Sequence, residues 1–185
     1  MPTYRADFHV HTVLSPCADT EMIPPLIVEQ AVQSGIEIIA ITDHNSIANI
    51  AAVQKAARGS LLHILPGVEL QTSEEVHVLC IFDDMDQVQE FQRHIDASLP
   101  DQENNIDFFG EQFVVDETGD FIRREERLLL TSLELTFHAA WQLTTSLGGL
   151  FIPAHVNRKA FGLYQVLGFI PPETPIEVLE ISTNI

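Results

Sequence analysis

Cations are scarce in this sequence. Nine Lys and Arg residues stand against 27 Asp and Glu, a formal charge of -18 over 185 residues. Binding to long nucleic acid relies on clustered Lys and Arg that displace counterions from phosphates, so a long duplex is not expected as a partner. Acidity of this kind favours solubility, and part of it is free to ligate cations, although most of the acids lie outside the motifs described below. Cysteine is scarce as well. Cys17 and Cys80 form no C-x-x-C pair and no disulfide framework, and each reads as a small buried apolar side chain. No apolar run reaches the ~18 residues of a bilayer span. The opening residues, Met1-Pro2-Thr3-Tyr4-Arg5-Ala6-Asp7, lack the apolar stretch of a secretory signal. A cytoplasmic protein with no membrane partner is therefore expected. Hydrophobic residues make up 45% and charged residues 19%, as in ordinary globular chains. The length suits one domain of roughly 100–250 residues.

The pattern that remains is a series of strand and helix units. Ala6–His11 alternates polar and apolar residues and reads as a first strand. Pro24 and Pro25 suit the first turn of a helix running to Gln33, with Gly35 placed to end it. Ile36–Thr42 is an almost unbroken apolar run, as in a parallel strand buried on both faces. Ile47, Ile50, Val53 and Ala57 form a helical stripe, and Leu61–Leu70 and Val76–Phe82 read as further strands. Asp84–Leu99 reads as an amphipathic helix. Residues 100–130 lose the pattern and carry turn signals, which suggests an insertion with a small hairpin. Thr131-Ser132-Leu133-Glu134 matches a capping box ahead of another helix. Leu150–Ala154 and Val178–Ser182 complete the strands. This alternation predicts an α/β fold with a largely parallel sheet, whose chemistry would sit beyond the C-terminal ends of the strands.

The histidines fall where that chemistry is expected. His9 and His11 end the first strand, two residues apart and so on one side of it. Asp43-His44 ends the second strand and Glu69 the third; His77 lies in the next, His155 ends a later one, and Asp19 lies in the loop after the first. One histidine near a strand end carries little weight, whereas five converging on one rim do not arise easily by chance. Imidazole with carboxylate suits zinc, manganese or iron more than calcium, and a carboxylate such as Glu69 could bridge two ions. Asp43 either contacts a metal or orients His44 from behind, and the second reading is preferred. His63 reads as a core residue in an apolar strand, His94 as a surface residue and His138 as lying off the apolar face of its helix, and none of the three is assigned a function.

His9-Val10-His11-Thr12, Thr42-Asp43-His44-Asn45, Pro66-Gly67-Val68-Glu69 and Pro153-Ala154-His155, taken in this order, resemble successive motifs of the PHP (polymerase and histidinol phosphatase) family. The resemblance implies a distorted (β/α)7 barrel with two to three divalent metal ions, manganese, zinc or iron. It would place His9, His11 and Glu69 on one ion, Glu69, His77 and His155 on a second, and Asp19 and His44 on a third. Members of the family are phosphatases, nucleotidases, exonucleases and proofreading or inactive polymerase domains. The family's late Asp-x-His motif is missing before Thr183-Asn184-Ile185. The expectation is a chain cut short relative to its relatives, with the barrel incompletely closed and an open edge that would favour self-association.

The expected activity is hydrolysis of a phosphate ester of a small metabolite or short nucleotide, by a water held and activated on metal ions at His9, His11, Glu69 and His155. Arg158 and Lys159 follow the His155 motif and are candidates to grip the substrate phosphate, and Ser15 is a weaker one. Two other readings stand beside it: a metal-binding regulatory or scaffold module without catalysis, and an exonuclease or proofreading domain.

Overall fold

The structure, a computed structural model, describes residues 3–183. Met1, Pro2, Asn184 and Ile185, and with them part of the readings made at the two ends of the sequence, lie outside the described residues. The first half alternates strand β1 (Ala6–Val10), helix α1 (Pro24–Gln33), strand β2 (Ile38–Ile41), helix α2 (Ile50–Ala56) and strand β3 (His63–Gln71). Prolines occupy the first turn of α1, where their missing N–H costs nothing. At its other end Gly35 takes a φ of 67°, the Gly35 N–H bonds the Val32 carbonyl and the Ile36 N–H bonds the Ala31 carbonyl, a Schellman end that only a residue tolerant of the left-handed region closes cheaply.

Strand β4 (His77–Ile81) follows β3 after residues 72–76 alone. That link is far shorter than the dozen or more residues a parallel crossover needs, so β4 runs antiparallel to β3. The five-stranded sheet has the order β1-β2-β3-β4-β7, with β7 at Leu150–Pro153; β1, β2 and β3 are parallel, and β4 is antiparallel to both its neighbours. The sheet is thus mixed rather than largely parallel. The reversal places His77, the first residue of β4, at the same rim as the C-terminal ends of the other strands.

Helix α3 (Met85–Ser98) starts with a full capping box: Asp84 accepts from the Gln87 N–H at 3.0 Å, and the Gln87 side chain accepts from the Asp84 N–H at 3.2 Å. Residues 100–130 hold a single helical turn, α4 (Ile106–Phe109), and a hairpin of β5 (Phe113–Val115) and β6 (Phe121–Arg124). Two buried asparagines after β2 tie this segment down. The Asn45 amide donates to the Leu129 and Thr131 carbonyls, and Asn49 bonds Phe113 and Val115 as well as the Thr12 hydroxyl.

Helix α5 (Phe137–Ser146) begins later than the Thr131–Glu134 motif suggests. The N–H groups of Leu133 and Glu134 bond the Gln71 and Ser98 carbonyls, which keeps that stretch out of the helix, and Thr136 caps the helix by accepting from the Ala139 N–H at 3.2 Å. A last short helix, α6, spans Leu163–Val166. Val178–Ser182 is not a sheet strand. It is an extended segment tied to the end of β7, where the Glu180 N–H bonds the Pro153 carbonyl and the Val156 N–H bonds the Glu180 carbonyl.

Burial divides the side chains among three clusters. Ile27 and Ala31 of α1 pack with Ile50 and Val53 of α2 on Ile39, Ile41 and Ile64. Val88, Phe91 and Ile95 of α3 and Phe137 and Ala140 of α5 pack on Val68, Leu70, Val78 and Cys80. Ala40, Leu79, Ile81 and Ile152, with Phe8 and Leu65, form a third cluster without any helix residue. The strands therefore carry helices against one face only, and the other face curls around its own small core. Replacing Thr136 by Ala should cost about 1 kcal/mol in urea denaturation, whereas Thr131→Ala should stay within about 0.5 kcal/mol; equal losses would return the helix start to Thr131.

Candidate metal centre

Glu69 projects from β3 and is 1% exposed. Five imidazoles face its two oxygens. Its Oε1 lies 3.2 Å from His9 Nε2, 2.9 Å from His77 Nδ1 and 3.2 Å from His155 Nε2, and its Oε2 lies 3.2 Å from His11 Nε2 and 3.3 Å from His44 Nδ1. These residues come from the ends of β1, β2, β4 and β7, so the rim of the sheet itself assembles the ring. A register shift between Asp7 and Val10 interrupts the pairing of β1 with β2, and β1 ends at Val10. His9 and His11 still converge on the one carboxylate.

A surrounding set of polar groups fixes the rings. Asp43, fully buried, accepts from the Thr12 N–H at 2.7 Å, the Thr12 hydroxyl at 2.8 Å and the Ser15 hydroxyl at 2.7 Å. With its proton given to Asp43, the Ser15 oxygen accepts from His11 Nδ1 at 3.1 Å and from the His44 N–H at 3.1 Å. Asp43 thus orients His11 and the backbone of His44 through Ser15, and does not touch the His44 ring. Glu180 does comparable work on the other side: it accepts from His9 Nδ1 at 2.9 Å and from the His155 N–H at 3.0 Å. His155 sits at a φ of 30°, a costly backbone for a side chain. Phe161, at a φ of 59°, stacks on His77 with ring centres 4.4 Å apart and accepts the His77 N–H.

The donor set fits divalent cations. With Nδ1 bonded to Ser15, His11 turns Nε2 to a carboxylate oxygen 3.2 Å away, the ring nitrogen that a cation would take. A carboxylate has about four lone-pair directions, too few for five imidazole donors. His44 Nδ1, His77 Nε2 and His155 Nδ1 are buried with no hydrogen bond, against the ordinary pairing of buried polar atoms. His9, His11 and Glu69 form one group whose donor atoms lie within 4.8 Å of one another, and His44, Glu69 and His77 form another. Glu69 is common to both, as a bridging carboxylate would be.

Burial opposes ionisation of Glu69, but the surrounding imidazoles, His44 foremost, hold its carboxyl well below the usual range. Burial pulls His44 down to about 3, which keeps it neutral, the form that ligates. Burial also works against charge on His9, but hydrogen bonds to Glu180 and Glu69 prevail and raise it to about 10.

The remaining sequence candidates separate. Asp19 is exposed and its Oδ1 accepts the Glu21 N–H at 3.1 Å in its own turn; it lines one cavity with His9 and His11, while His44 groups with Glu69 and His77. Ser15 is wholly buried and fully bonded, so it is not available to a substrate. Arg158 and Lys159 are exposed on the turn after His155; partial burial, then the Glu69 and Asp43 charges, push the Cys17 thiol up to about 11, and the Arg158 charge offsets only part of this. Cys80 is buried, as expected, but Cys17 is exposed and lies among His11 and His44. His63 is exposed rather than in the core. His138 bonds the Thr174 hydroxyl and stacks on Trp141. Sequence reasoning missed Glu180, an isolated acid whose only signal is its place in the segment beside β7.

Metal-stripped protein should show the His9 pairing in its pH profile. A folded value above the unfolded 6.5 means that the contribution is complete below about pH 6.5 and is lost as pH rises through about 10. Thermal melts of the stripped protein should fall across that window. The fall should be shallower in Glu180→Gln, and equal slopes would remove the pairing.

Residues 7–141 match the family described as PHP domain. The 5'-3' exoribonuclease Rnm of Salmonella typhimurium is 35% identical over 78 residues, 40% of this chain and 26% of that protein. Among solved structures, the lesion-specific endonuclease PfuEndoQ of Pyrococcus furiosus superposes with a TM-score of 0.73 at 20% identity, over 98% of this chain and 42% of the other. A protein of Bifidobacterium adolescentis assigned as a metal-dependent phosphoesterase does so with 0.60 at 18% identity, over 97% and 77%. At these identities the likeness is one of fold. An Endonuclease Q complex holding a 27-mer duplex with an abasic lesion at the active site is also similar, with a TM-score of 0.64 at 20% identity over 96% and 42%, so the fold itself does not bar a duplex. The chain spans 26% of the exoribonuclease and 42% of PfuEndoQ. With most of its length matched by one description, and with the mixed α/β fold of these neighbours, the chain belongs to the PHP domain family.

Proposed function

We propose that this chain hydrolyses phosphate esters of small or short substrates with two to three divalent ions, manganese, zinc or iron, held by His9, His11, His44, Glu69, His77 and His155. The observation that carries the reading is the buried Glu69 carboxylate within 3.3 Å of five imidazoles, three of which keep a buried ring nitrogen with no hydrogen bond. Divalent ions, when bound, supply an acidified water and neutralise charge on the phosphate oxygens. The chain's own part is to hold the imidazoles neutral and oriented through Ser15, Asp43 and Glu180, and to present Arg158 and Lys159 to the phosphate from the turn after His155. The chain acts as one unit, with residues 100–130 as an insertion beside the site. The charge of -18 favours short substrates, because a long polyanion would be repelled. The exoribonuclease relative and the endonuclease neighbours support a second reading, cleavage of a nucleic-acid chain.

The test compares metal content and rate on p-nitrophenyl phosphate, bis-p-nitrophenyl phosphate, a short 5'-labelled oligoribonucleotide and a long duplex. Glu69→Gln and His9→Ala should lower metal content and bring hydrolysis to background; unchanged metal and rate would remove the site. Arg158→Ala should raise KM with little change in kcat, and an unaltered KM would exclude it from phosphate binding. Cleavage of the long duplex as fast as the short oligonucleotide would favour the nuclease reading.

A further inference from the structure

The loop after β1 offers a donor of a different kind. We propose that Cys17 ligates a divalent cation together with His11 and His44, as a thiolate at the outer end of the imidazole ring, and that this position takes zinc or iron in preference to manganese. The inference rests on the metal reading above and sharpens it.

Three observations support it. The Cys17 sulfur and a nitrogen each of His11 and His44 lie within 4.8 Å of one another. The turn that carries Cys17 is built on the residue that orders both histidines. Ser15 accepts the Ala18 N–H on its carbonyl at 2.8 Å, so Ser15-Pro16-Cys17-Ala18 is a β-turn with proline at its second position, while the Ser15 hydroxyl holds His11, the His44 backbone and Asp43. Asp43 thereby orders, through one hydroxyl, the His11 ring, the His44 backbone and Ser15, the first residue of the turn that carries the sulfur. Finally, the His44 side chain is 5% exposed and its Nδ1 has no hydrogen-bond partner. Asp19, two residues on, bonds its own turn through Oδ1, and it is the Cys17 sulfur that groups with His11 and His44. His11 and His44 also belong to the two Glu69 groups, which makes this position one end of a continuous cluster.

Sulfur sets the preference. Thiolates favour zinc and iron, whereas carboxylate and water suit manganese. Binding converts the thiol to thiolate: the S–H bond breaks, the proton leaves to solvent, the sulfur lone pair forms the metal bond and no electron is transferred.

The metal-stripped full chain is titrated with cobalt(II), and its visible and near-ultraviolet absorption is recorded. Visible bands from cobalt on nitrogen and oxygen, together with a sulfur-to-cobalt charge-transfer band that is lost in Cys17→Ser and kept in Asp19→Ala and Cys80→Ala, support the proposal. The Cys17→Ser variant should also bind zinc at least roughly tenfold more weakly while changing manganese affinity less. Bound cobalt with no sulfur band, or a band that survives Cys17→Ser, overturns the role of Cys17 and leaves the Glu69 centre standing. No cobalt uptake at all overturns both. Circular dichroism of each variant confirms that the fold is retained.

Discussion

A carboxylate withdrawn from water must be compensated where it lies, because an unpaired buried charge costs several kcal/mol. Glu69 imposes that constraint on this fold. It is 1% exposed in the middle strand of five, and the compensation comes from every other strand of the sheet: His9 and His11 from β1, His44 beyond β2, His77 on β4 and His155 beyond β7. Cations would satisfy the same constraint more fully, since the imidazole nitrogens that face the carboxylate could then ligate with it. Metal binding and burial of Glu69 are thus two aspects of one electrostatic problem.

The positions of these residues were largely legible in the sequence. Strand ends can be located from apolar runs, and a polar residue capable of ligation at such an end stands out against its surroundings. The direction of β4 was not obtained from its apolar run, which looks the same either way up. The information lay in the brevity of residues 72–76, which only an antiparallel return can use. Thr131–Glu134 has the composition of a capping box at the start of α5, whereas tertiary hydrogen bonds from Leu133 and Glu134 keep it out of the helix. Composition records local preference, and partners distant in the chain overrode it here.

The supporting residues were harder to read. Ser15, Glu180 and Cys17 act through geometry that no spacing reveals: a hydroxyl shared among Asp43, His11 and His44, an acid reaching back to the first strand, and a sulfur returned to the ring by a proline turn. Cys17 resembled a buried apolar residue on the general habit of cysteine, and its exposure is what separates it from Cys80. Asn45 and Asn49 extend the same arrangement outward, joining residues 113–131 to the ends of β1 and β2. The irregular segment and the centre therefore share a common frame.

The hydrogen bond between His9 and Glu180 joins positions 171 residues apart. During synthesis His9 thus waits for Glu180, while the parallel β1, β2 and β3 can already pair. Contacts of such long range form late. The nascent chain passes through an interval in which the sheet exists but its rim is incomplete. A cation captured during that interval would meet looser imidazoles than one arriving afterwards, so the order of translation and metal encounter would bear on which ion such a rim takes.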